Sequence, residues 1–210
     1  GKLEAGLPSK PWIWVGKGPE GGTIEQIAIN PGNPDIVYAG TWGSGVYIST
    51  NYGDYWQKIN NGLSDLFVQD LEIGQSTYVL TTTGLFRTDD YGQHWVSVAS
   101  SLGSRDDLLS LALDPENPAI LYVGTWGDGA YRTMNGGMSW EMIYPGEYFW
   151  DIKVDPQTPT TLYARTQTDV LKSIDRGEHW TDANSGLPAT TIKALAINPQ
   201  FPTILYAGTE

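Results

Sequence analysis

The chain of 210 residues contains no cysteine. It can build no disulfide framework and no thiolate metal site, and cysteine usage says nothing about its redox compartment. Positive charge is scarce as well: 12 Lys and Arg stand against 24 Asp and Glu, giving a net charge of -12 and a pI near 4.4. Phosphate backbones and anionic bilayers need a basic stripe, which is lacking here, so nucleic acid and membrane surfaces are excluded as expected partners. Uncharged ligands such as glycans stay open. No apolar run approaches the ~18 residues that span a bilayer, and no leader is visible after Gly1. A soluble, processed or trimmed chain is expected, with its compartment open and a secreted setting compatible.

Phenylalanine is rare too, with four copies against nine Trp and twelve Tyr, and the 25 Gly and 13 Pro punctuate the chain throughout. This composition points to many short strands joined by tight turns and away from long helices. The stretch "STNYGDYW" (49–56) recurs as "TDDYGQHW", "TMNGGMSW" and "SIDRGEHW", and the closing Trp56, Trp95, Trp140 and Trp180 are spaced 39, 45 and 40 residues apart. A second marker keeps step: "INPGNPDIVYAG", "LDPENPAILYVG", "VDPQTPTTLYAR" and "INPQFPTILYAG", with "EIGQSTYVLTT" a worn copy. Repetition near 40 residues signals a propeller or solenoid. Each unit reads as four short strands rich in Val, Ile, Tyr and Trp, which makes a propeller blade.

Within the repeated turn, Asn51, Asp90, Asn135 and Asp175 can accept backbone N–H groups, and Gly53, Gly92, Gly137 and Gly177 supply positive φ. The Trp that follows buries its ring against the next sheet. The pattern S/T-x-D/N-x-G-x-x-W resembles the Asp-box, or BNR repeat, of sialidases, xyloglucan-degrading glycosidases, sortilin-type receptors and photosystem assembly factors, and it covers essentially the whole chain. The expected fold is an all-β propeller of four-stranded blades, at roughly 22–60, 65–99, 107–144 and 148–184, with a fifth made of 190–210 plus 1–18. That last assignment rests on spacing: Gly1 lies eleven residues before Trp12, as Gly45, Gly84, Gly129 and Asp169 lie before their own Trp. A ring joined this way has no free edge. The blades ending at Trp56 and Trp140 share "GTWG" and alternate with a second type, so the alternative is a larger ring or two chains joined into ten blades.

The face opposite the repeated turns is expected to carry any ligand, with Trp42, Trp126, Glu147, Tyr148, Phe149 and Trp150 as the binding candidates beside Phe67 and the Gly-rich "GKGPEGGT". Sugar C–H faces stack on aromatic rings while hydroxyls bond to acids and amides. Equally, Trp42 and Trp126 can serve as repeat-bound caps between blades. Aligned on the first strands are Gln26, Asp70, Ser110, Asp151 and Ala194, with Glu25 and Glu72 close by. Asp70 and Asp151 are the weak catalytic candidates, an acid and base for glycoside hydrolysis, or else solvated channel lining. The resemblance does not carry sialidase chemistry over, since that requires three arginines on the sugar carboxylate, and Arg87 and Arg132 here share one repeat position. The xyloglucan-degrading enzymes use two propellers with a cleft between, of which one ring supplies half. His94 and His179 share a turn position and read as exposed. No metal-ligand spacing and no phosphate-cradling loop are present, so no metal or cofactor is expected. The first reading is a non-catalytic binding module for a glycan or protein segment; the alternatives are a glycoside hydrolase or piece of one, and a propeller fragment without activity.

Overall fold

The computed structural model describes residues 18–99, 102, 108–187 and 191–210. Among the described residues, eighteen strands form four sheets of four strands and one of two. The first sheet runs β1 (Thr23–Ile29), β2 (Val37–Trp42), β3 (Gly45–Ser49) and β4 (Gln57–Lys58). The second comprises β5 (Val68–Ile73), β6 (Thr77–Thr81), β7 (Gly84–Thr88) and β8 (Val96–Ser97). β9 (Leu108–Leu113), β10 (Leu121–Thr125), β11 (Gly129–Thr133) and β12 (Glu141–Pro145) make the third, and β13 (Asp151–Val154), β14 (Leu162–Arg165), β15 (Val170–Ser173) and β16 (Thr181–Asp182) the fourth. β17 (Ile192–Ile197) and β18 (Leu205–Thr209) make the last. Every pairing is an antiparallel meander in chain order, and the first strands of successive sheets lie side by side. Short strands of this kind cannot bury their faces alone; stacking sheet on sheet supplies the core. The expected contribution of residues 1–18 to the last blade falls almost wholly on 1–17, outside the described residues.

The core lies between the sheets. One cluster joins Tyr38, Val46 and Ile48 of the first sheet to Leu71, Val79 and Phe86 of the second. The next joins Tyr78, Leu80 and Leu85 to Leu111, Leu121 and Val123, and a third joins Ala112, Tyr122 and Ala130 to Phe149, Ile152 and Leu162.

The repeated turn is built the same way four times. In the first sheet, Ser49 Oγ accepts from Gly53 N–H (2.8 Å) and donates to Asn51 Oδ1 (2.9 Å), which also accepts from Tyr55 N–H (2.9 Å). Thr88 with Asp90, Thr133 with Asn135 and Ser173 with Asp175 repeat these bonds. The turn needs two successive residues at positive φ: Tyr52, Tyr91, Gly136 and Arg176 precede the expected glycine at 59°, 60°, 69° and 59°. The tryptophan then ties one sheet to the one before it, with Trp95 Nε1 donating to Ile59 O (2.6 Å) and Trp140 Nε1 to Val98 O (2.9 Å).

Candidate functional site

The β2–β3 type of loop meets the loop that links one sheet to the next. Gly43 N–H and Gly45 N–H both donate to Leu66 O (3.0 Å each), and Trp42 pairs with Phe67 across an isolated bridge. On the third sheet, Phe149 N–H donates to Thr125 O (3.0 Å). Aromatic residues therefore gather where these two loop types touch. Trp126 is 53% exposed and meets Tyr148 and Trp150 edge-on at centroid distances of 5.4 and 4.8 Å. Tyr148 and Trp150 lie nearly parallel, at 15° and 6.2 Å. A second, smaller group pairs Trp42 with Phe67 edge-on at 5.2 Å, both rings being partly exposed.

Phe149 is a correction. Expected as a ligand contact, it is fully buried, packed on Tyr144 and Trp180 between the third and fourth sheets. Side chains alternate along an extended segment, so Tyr148 and Trp150 turn to one side and Phe149 to the other. Glu147 is half-buried and its Oε2 accepts from Tyr148 N–H (3.3 Å), which orients the loop.

Beside Trp150 opens a cavity of about 470 Å³ along the first strands, lined among others by Gln69, Asp70, Glu72, Ser110, Trp150, Asp151, Lys153 and Arg165. Gln26, Asp70, Ser110, Asp151 and Ala194 do occupy one register position, opposite Gly40, Leu80, Gly124, Arg165 and Gly208. The structure brings Asp70 and Asp151 into this one cavity. Register shifts at Ile24/Gln26, Val68/Asp70 and Ile192/Ala194, and one opposite Gly124/Thr125 where the pairing skips from Ser110 to Leu108, kink four of these strands, as bulges do where a side chain is re-aimed.

Asp70 accepts from Leu71 N–H (2.9 Å) and, across to the next sheet, from Leu111 N–H (3.1 Å). Burial nonetheless raises its pKa, outweighing those donors and the pull of Lys153. Asp151 is likewise raised by burial, against Lys153 Nζ at 3.1 Å. Glu72 goes furthest: burial, then the Asp70 charge, push it up to about 7. Burial opposes the Lys153 charge, but Asp151, Asp70 and Glu72 together hold its pKa above the usual lysine value. Arg165 sits with its guanidinium 5.6 Å from the Trp150 ring centroid and donates to Ile192 O (3.2 Å). Three buried polar atoms that find no protein partner, Gln69 Oε1, Ser110 Oγ and Arg165 Nε, belong to residues of this same lining.

Lys153, Arg165 and Gln69 were missed as site residues in the sequence reading. The one available signal was that Lys153 lies two residues after Asp151, on the same strand face. His94 and His179 are exposed turn residues, each with Nδ1 2.7 Å from the carboxylate of Asp90 or Asp175. Both carboxyls are held down near 2, Asp90 chiefly by the His94 ring and Asp175 chiefly by the His179 N–H. Among the described residues no group of three or more His, Cys, Asp or Glu is arranged to hold a metal ion, and no helix is long and apolar enough to cross a membrane.

No family-level sequence profile matches the chain. By sequence it is similar to xyloglucanase Xgh74A of Acetivibrio thermocellus, 28% identical over 127 residues, covering 59% of this chain and 13% of that protein. A xyloglucanase of Hypocrea jecorina is 24% identical over 159 residues, 63% of this chain and 19% of the relative. The chain thus spans less than a fifth of the length of these curated relatives. By structure it is similar to an ancestral GH74 enzyme, with a TM-score of 0.75 and 22% identity over 89% of this chain and 27% of the other. YCF48 in complex with a peptide follows at a TM-score of 0.66 and 14% identity, covering 90% of this chain and 62% of that one. The fold is that of a β-propeller. Its four-stranded sheets are the blades, and the aromatic group and acidic cavity lie where blade-linking loops meet the innermost strands of that propeller.

Proposed function

We propose that this propeller is a glycan-recognising module. Its platform is the Trp126, Tyr148 and Trp150 group, continued inward by the carboxylates of the channel cavity. The observation that carries the reading is that Trp150 belongs to both: it stacks on Tyr148 and also lines the cavity of Asp70, Glu72, Asp151 and Lys153. A sugar presents C–H faces to rings and hydroxyls that both donate and accept. The cavity matches that mixture, with an amide oxygen (Gln69), a hydroxyl (Ser110) and a guanidinium N–H (Arg165) unpartnered in its lining. The similarity to xyloglucanases makes neutral plant-type glucans the first ligands to try, and a glycan ligand fits an extracytoplasmic setting.

Titration with xyloglucan and cello-oligosaccharides, followed by tryptophan fluorescence, tests this. Trp126→Ala is expected to weaken binding about tenfold, the ~1.4 kcal/mol expected of one lost aromatic contact. Unchanged affinity in Trp126→Ala and Trp150→Ala would move any sugar site elsewhere. Silence with every sugar would turn the search to peptide ligands, the kind seen on the YCF48 neighbour.

A second reading is glycoside hydrolysis, favoured by a glutamate near pKa 7 beside two further carboxyls. Release of reducing ends, lost in Asp70→Asn, Glu72→Gln and Asp151→Asn, would establish it. Turnover that survives all three substitutions would exclude this cavity as the catalytic centre.

A further inference from the structure

The joint between the second and third sheets repeats the joint between the third and fourth with different neighbours around one arginine. Arg87 and Arg132 hold the same register position, opposite Tyr78 and Tyr122. Arg132 is shared by two carboxylates: its Nε donates to Glu141 (2.7 Å) and its Nη2 to Glu178 in the turn of the next sheet (2.6 Å), while Nη1 donates to Arg176 O (2.8 Å). Around Arg87, Val96 stands where Glu141 does, and Met138 and Gly136 stand where Glu178 and Arg176 do. Arg87 therefore holds a single carboxylate, that of Asp89, whose Oδ1 accepts from both Nε (3.0 Å) and Nη2 (2.8 Å). Among the described residues its Nη1 finds no acceptor.

With those two acidic side chains replaced, a pocket of about 450 Å³ opens at this joint, on the side of the repeated turns. Its walls include Arg87, His94, Val96, Val98, Gly136 and Met138. A Cβ at Gly136 would lie 2.9 Å from Arg87 Nη1, so the glycine is what leaves that nitrogen room. Away from the guanidinium the pocket is largely apolar and open. Val96 is 64% and Met138 77% exposed, and Met134 and Met142 are each 51% exposed. All three methionines of the chain thus lie exposed on one blade, and methionine adapts its shape to apolar ligands. The volume falls in the range of small-molecule sites, about 300–1,000 Å³.

We infer that this pocket binds a small ligand bearing one carboxylate on an apolar chain. The carboxylate makes the second contact on Arg87, as Glu178 makes it on Arg132, and the chain lies along Val96, Val98 and Met138. Asp89 occupies the Nε and Nη2 edge of the guanidinium and leaves Nη1 to the ligand. A charge-assisted bond of this kind is about twice as strong as a neutral one, so the carboxylate sets the affinity and the chain sets the fit. The inference stands whether or not a glycan binds on the loop face.

Octanoate is the probe, read by NMR of the chain labelled with [¹³C-methyl]methionine, which gives three methyl signals, that of Met138 being assigned with Met138→Leu. Octanoate is expected to shift the Met138 signal saturably. Octanol, which keeps the chain without the charge, and acetate, which keeps the charge without the chain, should each bind at least about tenfold more weakly. Arg87→Gln should reduce octanoate to the affinity of octanol. Val96→Glu, which places a carboxylate where Glu141 stands at the next joint, should abolish octanoate binding by occupying Arg87 from within. Near-ultraviolet circular dichroism checks that both variants stay folded, and Val96, being exposed, keeps the test available if Arg87→Gln does not fold. A shift that never saturates overturns the inference, as does octanol binding as tightly as octanoate. Unchanged octanoate affinity in either folded variant would also overturn it, by placing the carboxylate elsewhere.

Discussion

Glu72 shows how one side chain can make the protein's stability depend on pH. Its folded pKa of about 7 lies above the usual 4.5. Between those values the folded state keeps a proton that the unfolded chain releases. Stability is therefore highest below about 4.5, falls as pH rises from there to about 7, and above that carries a penalty of about 3 kcal/mol. Glu72→Gln should raise the melting temperature clearly at alkaline pH and hardly at all at acidic pH; a shift of equal size at both would mean the carboxylate is not desolvated. Glycines divide at the same scale. Gly92 has φ +85°, and a Cβ there would run into the Ile59 side chain, whereas Gly146 has φ +72° with nothing near. Gly146→Ala should cost about 1 kcal/mol, the backbone term alone. Gly92→Ala adds the clash and should cost about 2–4 kcal/mol by chemical denaturation.

At the level of the strand and turn, the tryptophan that ends each repeated turn acts as a peg between sheets, but not equally in all four. Trp95 Nε1 has Ile59 O as acceptor, while the buried Nε1 of Trp180 has none. Trp95→Phe should lose about 1–3 kcal/mol through the orphaned carbonyl, and Trp180→Phe distinctly less. Equal losses in urea melts would show that ring volume, and not the hydrogen bond, holds the sheets. These pegs, the Asx residues and the turn glycines were legible because the same chemistry recurs along the chain, so that spacing alone exposed it. The positive φ of Tyr52, Tyr91 and Arg176 was not legible, because side chains that avoid that region are placed there by the turn's other bonds. The row from Gln26 to Ala194 came out in phase, yet Phe149 did not, since which side of a loop faces the core depends on where the next strand enters. Lys153 and Arg165 escaped notice for a related reason: only cross-strand pairing places Arg165 opposite Asp151.

Taken as a whole, the molecule is a row of nearest-neighbour contacts, and its stability should be graded along that row. Among the described residues, the first sheet packs on the second and the last on the fourth, each on one side only. Amides of β1 and β18 should therefore exchange hydrogen before those of β6 and β10. Uniform exchange across all five sheets would instead indicate one all-or-none unit. The repeated register has a further consequence. Because every blade offers the same knob forward and accepts the same knob from behind, a gene segment encoding one blade could be duplicated or deleted without any new surface having to be invented. The number of blades is thus free to drift during descent while the joint between them stays fixed.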